Sequence, residues 1–212
     1  MNFPDCIWRQ ECVYYIVERE RKDMVMSRIA IFFSEGYEEI EALTVVDLCR
    51  RAKLEIDMVG IAGEMVVTGS HGISVKMDKT LQELDFSAYD MLVLPGGLRG
   101  TQGLESCESL MKQIDAFYSA GRDIAAICAA PSIFGHRGIL KDRNACSYPD
   151  FESHLEGAKV SKNPVECSDH VMTSRGMGTA MDFGLAIVER FCGKERRDAL
   201  AKQIVYRDGA AV

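Results

Sequence analysis

Cys128 ends an apolar run, Arg122-Asp-Ile-Ala-Ala-Ile-Cys128, and a small, proline-containing helix start, Ala129-Ala-Pro-Ser-Ile-Phe134, follows at once. A strand that gives way to a helix within two residues puts the side chain between them on a sharp turn. Ala126 and Ala130 stand two residues to either side, where such a turn is too crowded for large side chains. This is the logic of a nucleophile elbow, built with cysteine in place of serine. The free N–H groups and positive dipole end of the following helix favour thiolate over thiol. An ordinary buried cysteine in a parallel strand is the competing reading, and the rest of the chain has to decide between them.

Two other segments offer chemistry of the same kind. Val93-Leu-Pro-Gly-Gly97 ends another apolar run. Any strand can close on a Gly turn, but a glycine pair also lets a bare N–H approach a reacting oxygen, so that Gly97 and Ala129 N–H groups form an oxyanion hole beside the thiol. Glutamates 38, 39 and 41 open a helical segment, where carboxylates suit the dipole. Glu41 continues the apolar row Val45, Leu48, Ala52, and Glu38 the row Ala42, Val45, Cys49. Helical periodicity does not choose between them.

The elements that must position these residues alternate. Strand-like runs occupy 28–33, 56–61, 64–68, 73–77, 89–94 and 122–127. Shorter strands are expected at 144–147 and within 159–174. Helices are expected over 38–52, 104–120, 178–192 and 194–206, with a helical turn at 150–155. Near-continuous apolar strands alternating with helices predict an α/β fold, a mostly parallel sheet covered on both faces. Ligands of such sheets gather at the carboxyl ends of the strands, where the Glu38–Glu41 cluster, Gly96-Gly97 and Cys128 all fall.

Composition bounds the rest. The 212 residues suffice for one domain; 47% are hydrophobic and 27% charged, and the net charge is −7. Nothing in that balance attracts nucleic acid or an anionic membrane, and no apolar run approaches the ~20 residues of a membrane span. Eight cysteines are scattered with no Cys-x-x-Cys pair, and His71, His136, His154 and His170 lie too far apart in sequence to suggest a zinc motif. A reduced, cytoplasmic protein without metal is expected. Residues 1–26, with Trp8 and the charged run Glu18-Arg-Glu-Arg-Lys-Asp23, read as an N-terminal extension or a misassigned start, and 28–207 as the domain.

Taken together, Glu38-Glu-Ile-Glu-Ala42, Val93-Leu-Pro-Gly-Gly97, Ala125-Ala-Ile-Cys-Ala-Ala-Pro131 and Thr173-Ser-Arg-Gly-Met-Gly-Thr-Ala180, with Asp182-Phe-Gly-Leu-Ala-Ile187, resemble the ThiJ/PfpI family. More narrowly they resemble its parkinsonism-associated deglycase branch and that branch's bacterial relatives, many of which carry a thiazole-monophosphate-biosynthesis name. The resemblance covers about residues 28–207. It implies a flavodoxin-like three-layer sandwich of the class I glutamine-amidotransferase type, a homodimer, and no cofactor. It places the reactive cysteine at Cys128, its partner carboxyl at Glu41 and the oxyanion donors at Gly97 and Ala129. Gly96, Tyr148, His71, Ser174 and Arg175 become candidate pocket residues.

The chain departs from the family's pattern in two places. Animal deglycases carry a His-Pro pair where this chain has Tyr148-Pro149, so no imidazole base is expected there. Protease-like members place histidine directly after the cysteine; here Ala129 follows, and His170-Val-Met does not supply the His-x-Glu of an amidotransferase triad. Ser70-His71 stands where the family often has Ser-Arg, and an exposed turn histidine is the simpler reading of it. Cys146 is a candidate resolving thiol, against the general expectation that spare cysteines are inert fillers. The resemblance implies an enzyme acting on 2-oxoaldehydes or glycated groups, glyoxalase or deglycase in type, in stress protection. The alternative is a redox-sensing chaperone that uses the same oxidisable cysteine.

Overall fold

The apolar runs form the centre of one sheet. The computed structural model describes residues 27–207, so the predicted extension at 1–26 lies outside the described residues. The strands are β1 (Arg28–Phe33), β2 (Glu55–Gly60), β3 (Val66–Thr68), β4 (Ser74–Lys76), β5 (Lys79–Thr80), β6 (Met91–Leu94), β7 (Asp123–Ile127), β8 (Asn144–Ala145), β9 (Lys159–Val160), β10 (Val165–Ser168) and β11 (Val171–Ser174). The helices are α1 (Glu39–Ala52), α2 (Leu98–Ser106), α3 (Glu108–Ser119), α4 (Pro131–His136) and α5 (Ala180–Gln203), the last broken at Gly193 by non-helical backbone.

Seven strands pair in the order β10-β11-β7-β6-β1-β2-β5, all parallel except the β10–β11 hairpin at one edge. Side chains alternate between two cores, as a strand's period of two requires. Ile29, Ile31, Phe33, Val93, Ala125 and Ile127 pack with Val45, Leu48, Phe183 and Ile187 of α1 and α5. Ala30, Phe32, Leu92, Leu94 and Ala126 pack with Leu104, Ile114, Phe117 and Phe134 of α2, α3 and α4. The result is the expected flavodoxin-like three-layer sandwich with a mostly parallel sheet.

The expected helix over 104–120 is two helices. The chain turns at Cys107, which leaves helical backbone at φ −84°, ψ 90°, and α2 begins earlier, straight after Gly97. The expected strand at 144–147 is only two residues long, and it pairs with β9 in a separate ribbon. From β1 the chain winds outward through β2 to β5. It then returns to the other side of β1 through β6, β7 and β11. The order therefore reverses between β1 and β6, which opens a crevice at their carboxyl ends. Among the described residues, no helix is long and apolar enough to cross a membrane.

Candidate active site

Cys128 follows β7 with φ 67°, a left-handed conformation that strains a residue with a Cβ by roughly 1–2 kcal/mol. Neighbours hold it there. Its N–H donates to the Ser174 carbonyl at 3.0 Å, its own carbonyl accepts from Tyr148 N–H at 2.8 Å, and Ala130 N–H returns to Ile127 O at 3.1 Å. Ala126 and Ala130 are fully buried, as the crowding argument requires. The thiol points into the crevice at the β1–β6 reversal.

Glu41, in the first turn of α1, is buried and meets it there. Its Oε2 accepts from Gly96 N–H at 3.0 Å, and the Met177 N–H and the Cys128 thiol are further partners. Burial raises the Glu41 pKa to about 7; the Cys128 hydrogen bond and the two N–H groups oppose the rise, and the Glu38 charge adds to it. The Cys128 pKa is also raised, first by burial and then by the charge and hydrogen bond of Glu41, with the Gly97 and Ala129 N–H groups pulling it down. Burial and the Glu41 charge act against the thiolate expected at this helix start, and the Gly97 and Ala129 N–H groups act for it.

Thiol and carboxyl therefore titrate as a pair. Each can carry the pair's negative charge facing two backbone donors: Gly97 and Ala129 for sulfur, Gly96 and Met177 for Glu41. Glycine is required at two of these positions. A Cβ on Gly96 would stand 2.4 Å from Glu41 Oε2 and 2.5 Å from Cys128 Cβ. Gly97 has φ 87°, and a Cβ on it would lie 2.4 Å from Gly36 O.

The remaining candidates separate. Tyr148 is half-exposed, and its ring lies 3.5 Å from where a Cβ on Gly176 would sit; that same point is 4.0 Å from Cys128 Sγ. Tyr148 is therefore at the mouth. The Ser174 side chain turns away, donating to Pro164 O at 2.8 Å and meeting Thr179 Oγ1 at 2.8 Å; only its carbonyl serves the site. Arg175 reaches Glu152 at 3.8 Å, on the turn that follows Tyr148. His71 is exposed but not free: its N–H donates to Glu39 Oε1 at 2.7 Å and its Nδ1 lies 3.0 Å from Glu39 Oε2. Glu39 is buried, and although burial opposes it, the hydrogen bonds from His71 and nearby backbone N–H groups lower its pKa to about 2. Cys146 is buried with its thiol donating to Thr173 O at 3.4 Å, which fits a filler.

Sequence reasoning missed Gly176 and Met177 as contributors to the Glu41 surroundings. Both lie inside the Thr173–Ala180 run, which was the available signal. It also read Glu39 as a dipole-end carboxylate, whereas Glu39 anchors the turn at 69–73 from a buried position.

Comparison with known proteins bears on the family and the fold. The DJ-1/PfpI family model matches residues 27–190. The chain is 36% identical over 176 residues to Protein DJ-1 homolog A of Arabidopsis thaliana, covering 82% of this chain and 45% of that one. It spans less than half the length of the two Arabidopsis relatives it matches. It is 31% identical over 179 residues to the glutathione-independent glyoxalase DJR-1.2 of Caenorhabditis elegans, covering 84% and 95% of the two chains. The solved structure of oxidized Toxoplasma gondii DJ-1 superposes with a TM-score of 0.81 at 29% identity, covering 85% of this chain and 98% of that one. With its fold, its motifs in order and the family match over most of its length, the chain belongs to the DJ-1/PfpI family.

Proposed function

We propose that the chain is a cofactor-independent cysteine enzyme that converts small 2-oxoaldehydes, or their adducts on amines and thiols, to hydroxy acids. The observation that carries this reading is the buried Glu41 carboxyl, its pKa raised to about 7 beside the Cys128 thiol. A carboxylate poised there is a general base matched to neutral pH, and it offsets the raised thiol pKa by taking the proton as sulfur attacks. A relative at 31% identity is a glutathione-independent glyoxalase, which supports the same chemistry.

The steps balance without an external reductant or oxidant. The Cys128 sulfur adds to the aldehyde carbon and its proton passes to Glu41. The new oxyanion faces the Gly97 and Ala129 N–H groups and takes that proton back from Glu41 to complete a hemithioacetal. Glu41, again a carboxylate, removes the hydrogen from the former aldehyde carbon to give an enediolate and returns it to the adjacent carbon, while the hydroxyl proton passes to the neighbouring oxygen and leaves a thioester. Water hydrolyses the resulting thioester, releasing the hydroxy acid and the free thiol.

The test is turnover of methylglyoxal by purified protein with no glutathione, following formation of the hydroxy acid. Wild type should turn over, with kcat/KM rising with pH through about 7 as Glu41 ionises. Cys128→Ser should be inactive, and Glu41→Gln should lose on the order of 10²-fold and its pH limb. Absence of turnover in wild type would sink the enzyme reading.

One observation favours a second reading: the solved T. gondii relative is described as oxidized. Successive oxidation of Cys128 by peroxide to sulfenate and then sulfinate, each step releasing water, would place new acceptor oxygens among the same donors. Such a redox-sensing chaperone would show peroxide-dependent mass gain at Cys128 without aldehyde turnover. A cytoplasmic homodimer completes the proposal. Exposed Ile40, Val66 and Ile73, at the start of α1 and on the β3–β4 hairpin, suit a self-associating face, which light scattering would test.

A further inference from the structure

His136 and His154 are 18 residues apart, too far for a sequence motif, yet the fold places His136 Nε2 3.1 Å from His154 Nδ1. The other nitrogen of His136, Nδ1, lies 2.6 Å from Glu105 Oε1 at the C-terminal end of α2. Three separate elements thus converge on the face beyond α4. The approach depends on Gly135: a Cβ there would stand 2.0 Å from the His154 carbonyl. Phe151 packs beside the His154 ring with centroids 5.7 Å apart.

We propose that His136 and His154 form a binding site for a divalent transition-metal ion of the zinc class, with Glu105 as the positioning residue. Carboxylate–histidine–metal chains have this order, in which the carboxylate accepts the far N–H and fixes which ring nitrogen presents its lone pair. Here Glu105 holds the Nδ1 proton of His136, leaving Nε2 aimed at His154. Two nitrogens each about 2.1 Å from a tetrahedral zinc stand about 3.4 Å apart, so the nitrogens need to part by a few tenths of an ångström and the rings to tilt until both lone pairs meet the ion. Without metal the short contact is a hydrogen bond from His154 Nδ1–H to His136 Nε2. Metal takes that proton's place, and the proton transfers through water to His154 Nε2. The two rings remain partly exposed, which leaves room for waters to complete the coordination. Imidazole selects zinc, nickel and copper over magnesium and calcium, which take oxygen ligands.

The site is separate from the thiol but mechanically close to it. α4 begins three residues after Cys128, and the turn bearing His154 begins at Pro149, directly after Tyr148. A metal there would pin together the two segments that follow Cys128 and Tyr148. For His136 and His154 the proposal departs from the sequence expectation of a protein without metal.

The experiment is titration of the full chain, stripped with chelator, with zinc chloride by calorimetry, beside carbethoxylation mapping of the histidines. Wild type is expected to bind zinc with protection of His136 and His154. His136→Gln and His154→Gln should each lose that binding, and Glu105→Gln should weaken it about 10-fold or more at unchanged stoichiometry. Excess magnesium should not compete. The cysteines supply a background, so the decisive quantity is the difference between wild type and the histidine variants. A His136→Gln/His154→Gln protein that binds zinc as tightly and in the same ratio would overturn the proposal. So would wild-type histidines modified at the same rate with and without zinc, a result that does not depend on any variant folding.

Discussion

Gly96 donates its N–H to Glu41 while leaving the space between that carboxyl and the Cys128 thiol empty of any side chain. The bond is 3.0 Å, and a methyl group at Gly96 would fall 3.1 Å from Sγ. The carboxyl and thiol meet because the residue beside them has no side chain.

Gly96→Ala is therefore expected to lose stability by about 1–3 kcal/mol, the range for overpacking a closed site, and to separate Glu41 from Cys128. Urea unfolding and methylglyoxal turnover, measured on the same preparation, check this. Full activity in a stable Gly96→Ala protein would show that the contact does not matter.

The raised pKa of Glu41 has a sign for stability. Its folded value of about 7 exceeds the ordinary 4.5, so the folded state holds this proton more tightly than the unfolded chain. Stability is then fullest below about 4.5 and declines as pH rises to about 7, on the order of 3 kcal/mol at 1.36 kcal/mol per unit. Glu41→Gln should flatten that part of the profile in denaturant melts at pH 5 and pH 8. An unchanged slope would place the proton elsewhere.

Glu39 behaves in the opposite sense. Its pKa is lowered to about 2, so its contribution is present above the ordinary carboxyl range and is lost as pH falls toward 2. Glu39→Gln should cost about 1.5–3 kcal/mol at neutral pH, the range for hydrogen bonds to a charged group. Glu38→Gln, losing one bond from Ser70, should cost less. Thermal melts of the pair decide the order, and equal losses would contradict it.

Tyr148 stands half-exposed at the mouth where animal relatives are expected to carry histidine. Tyr148→Phe keeps the ring and the backbone bond to Cys128 and removes only the phenolic hydroxyl. A fall of about 1 kcal/mol in transition-state binding is expected, read as roughly a fivefold drop in kcat/KM. A variant indistinguishable from wild type would take the phenol out of the reaction.

How much was legible follows from where each residue's signal lay. Beyond the charged first residues Arg28 and Asp123, β1, β6 and β7 are continuous apolar runs buried on both faces, so pattern alone located them. α2 carried no such signal: Leu98-Arg-Gly-Thr-Gln-Gly103 has two glycines and no apolar period. The structure needs both, since a Cβ on Gly100 would lie 2.7 Å from Tyr37 Cα and one on Gly103 would lie 2.0 Å from Ser34 Oγ. Glu38 and Glu41 fit equivalent helical rows in the sequence, and the structure separates them: Glu38 precedes α1 in extended backbone, whereas Glu41 lies inside its first turn against Gly96 and Cys128. The Glu39–His71 and His136–His154 pairs join segments distant in sequence, which no local pattern records.

The left-handed backbone at Cys128 sets function against endurance. Glycine adopts that conformation without strain, so a library of this chain screened only for survival of heating should enrich Gly at position 128. The same library screened for chemistry should keep cysteine there and reach its heat resistance elsewhere.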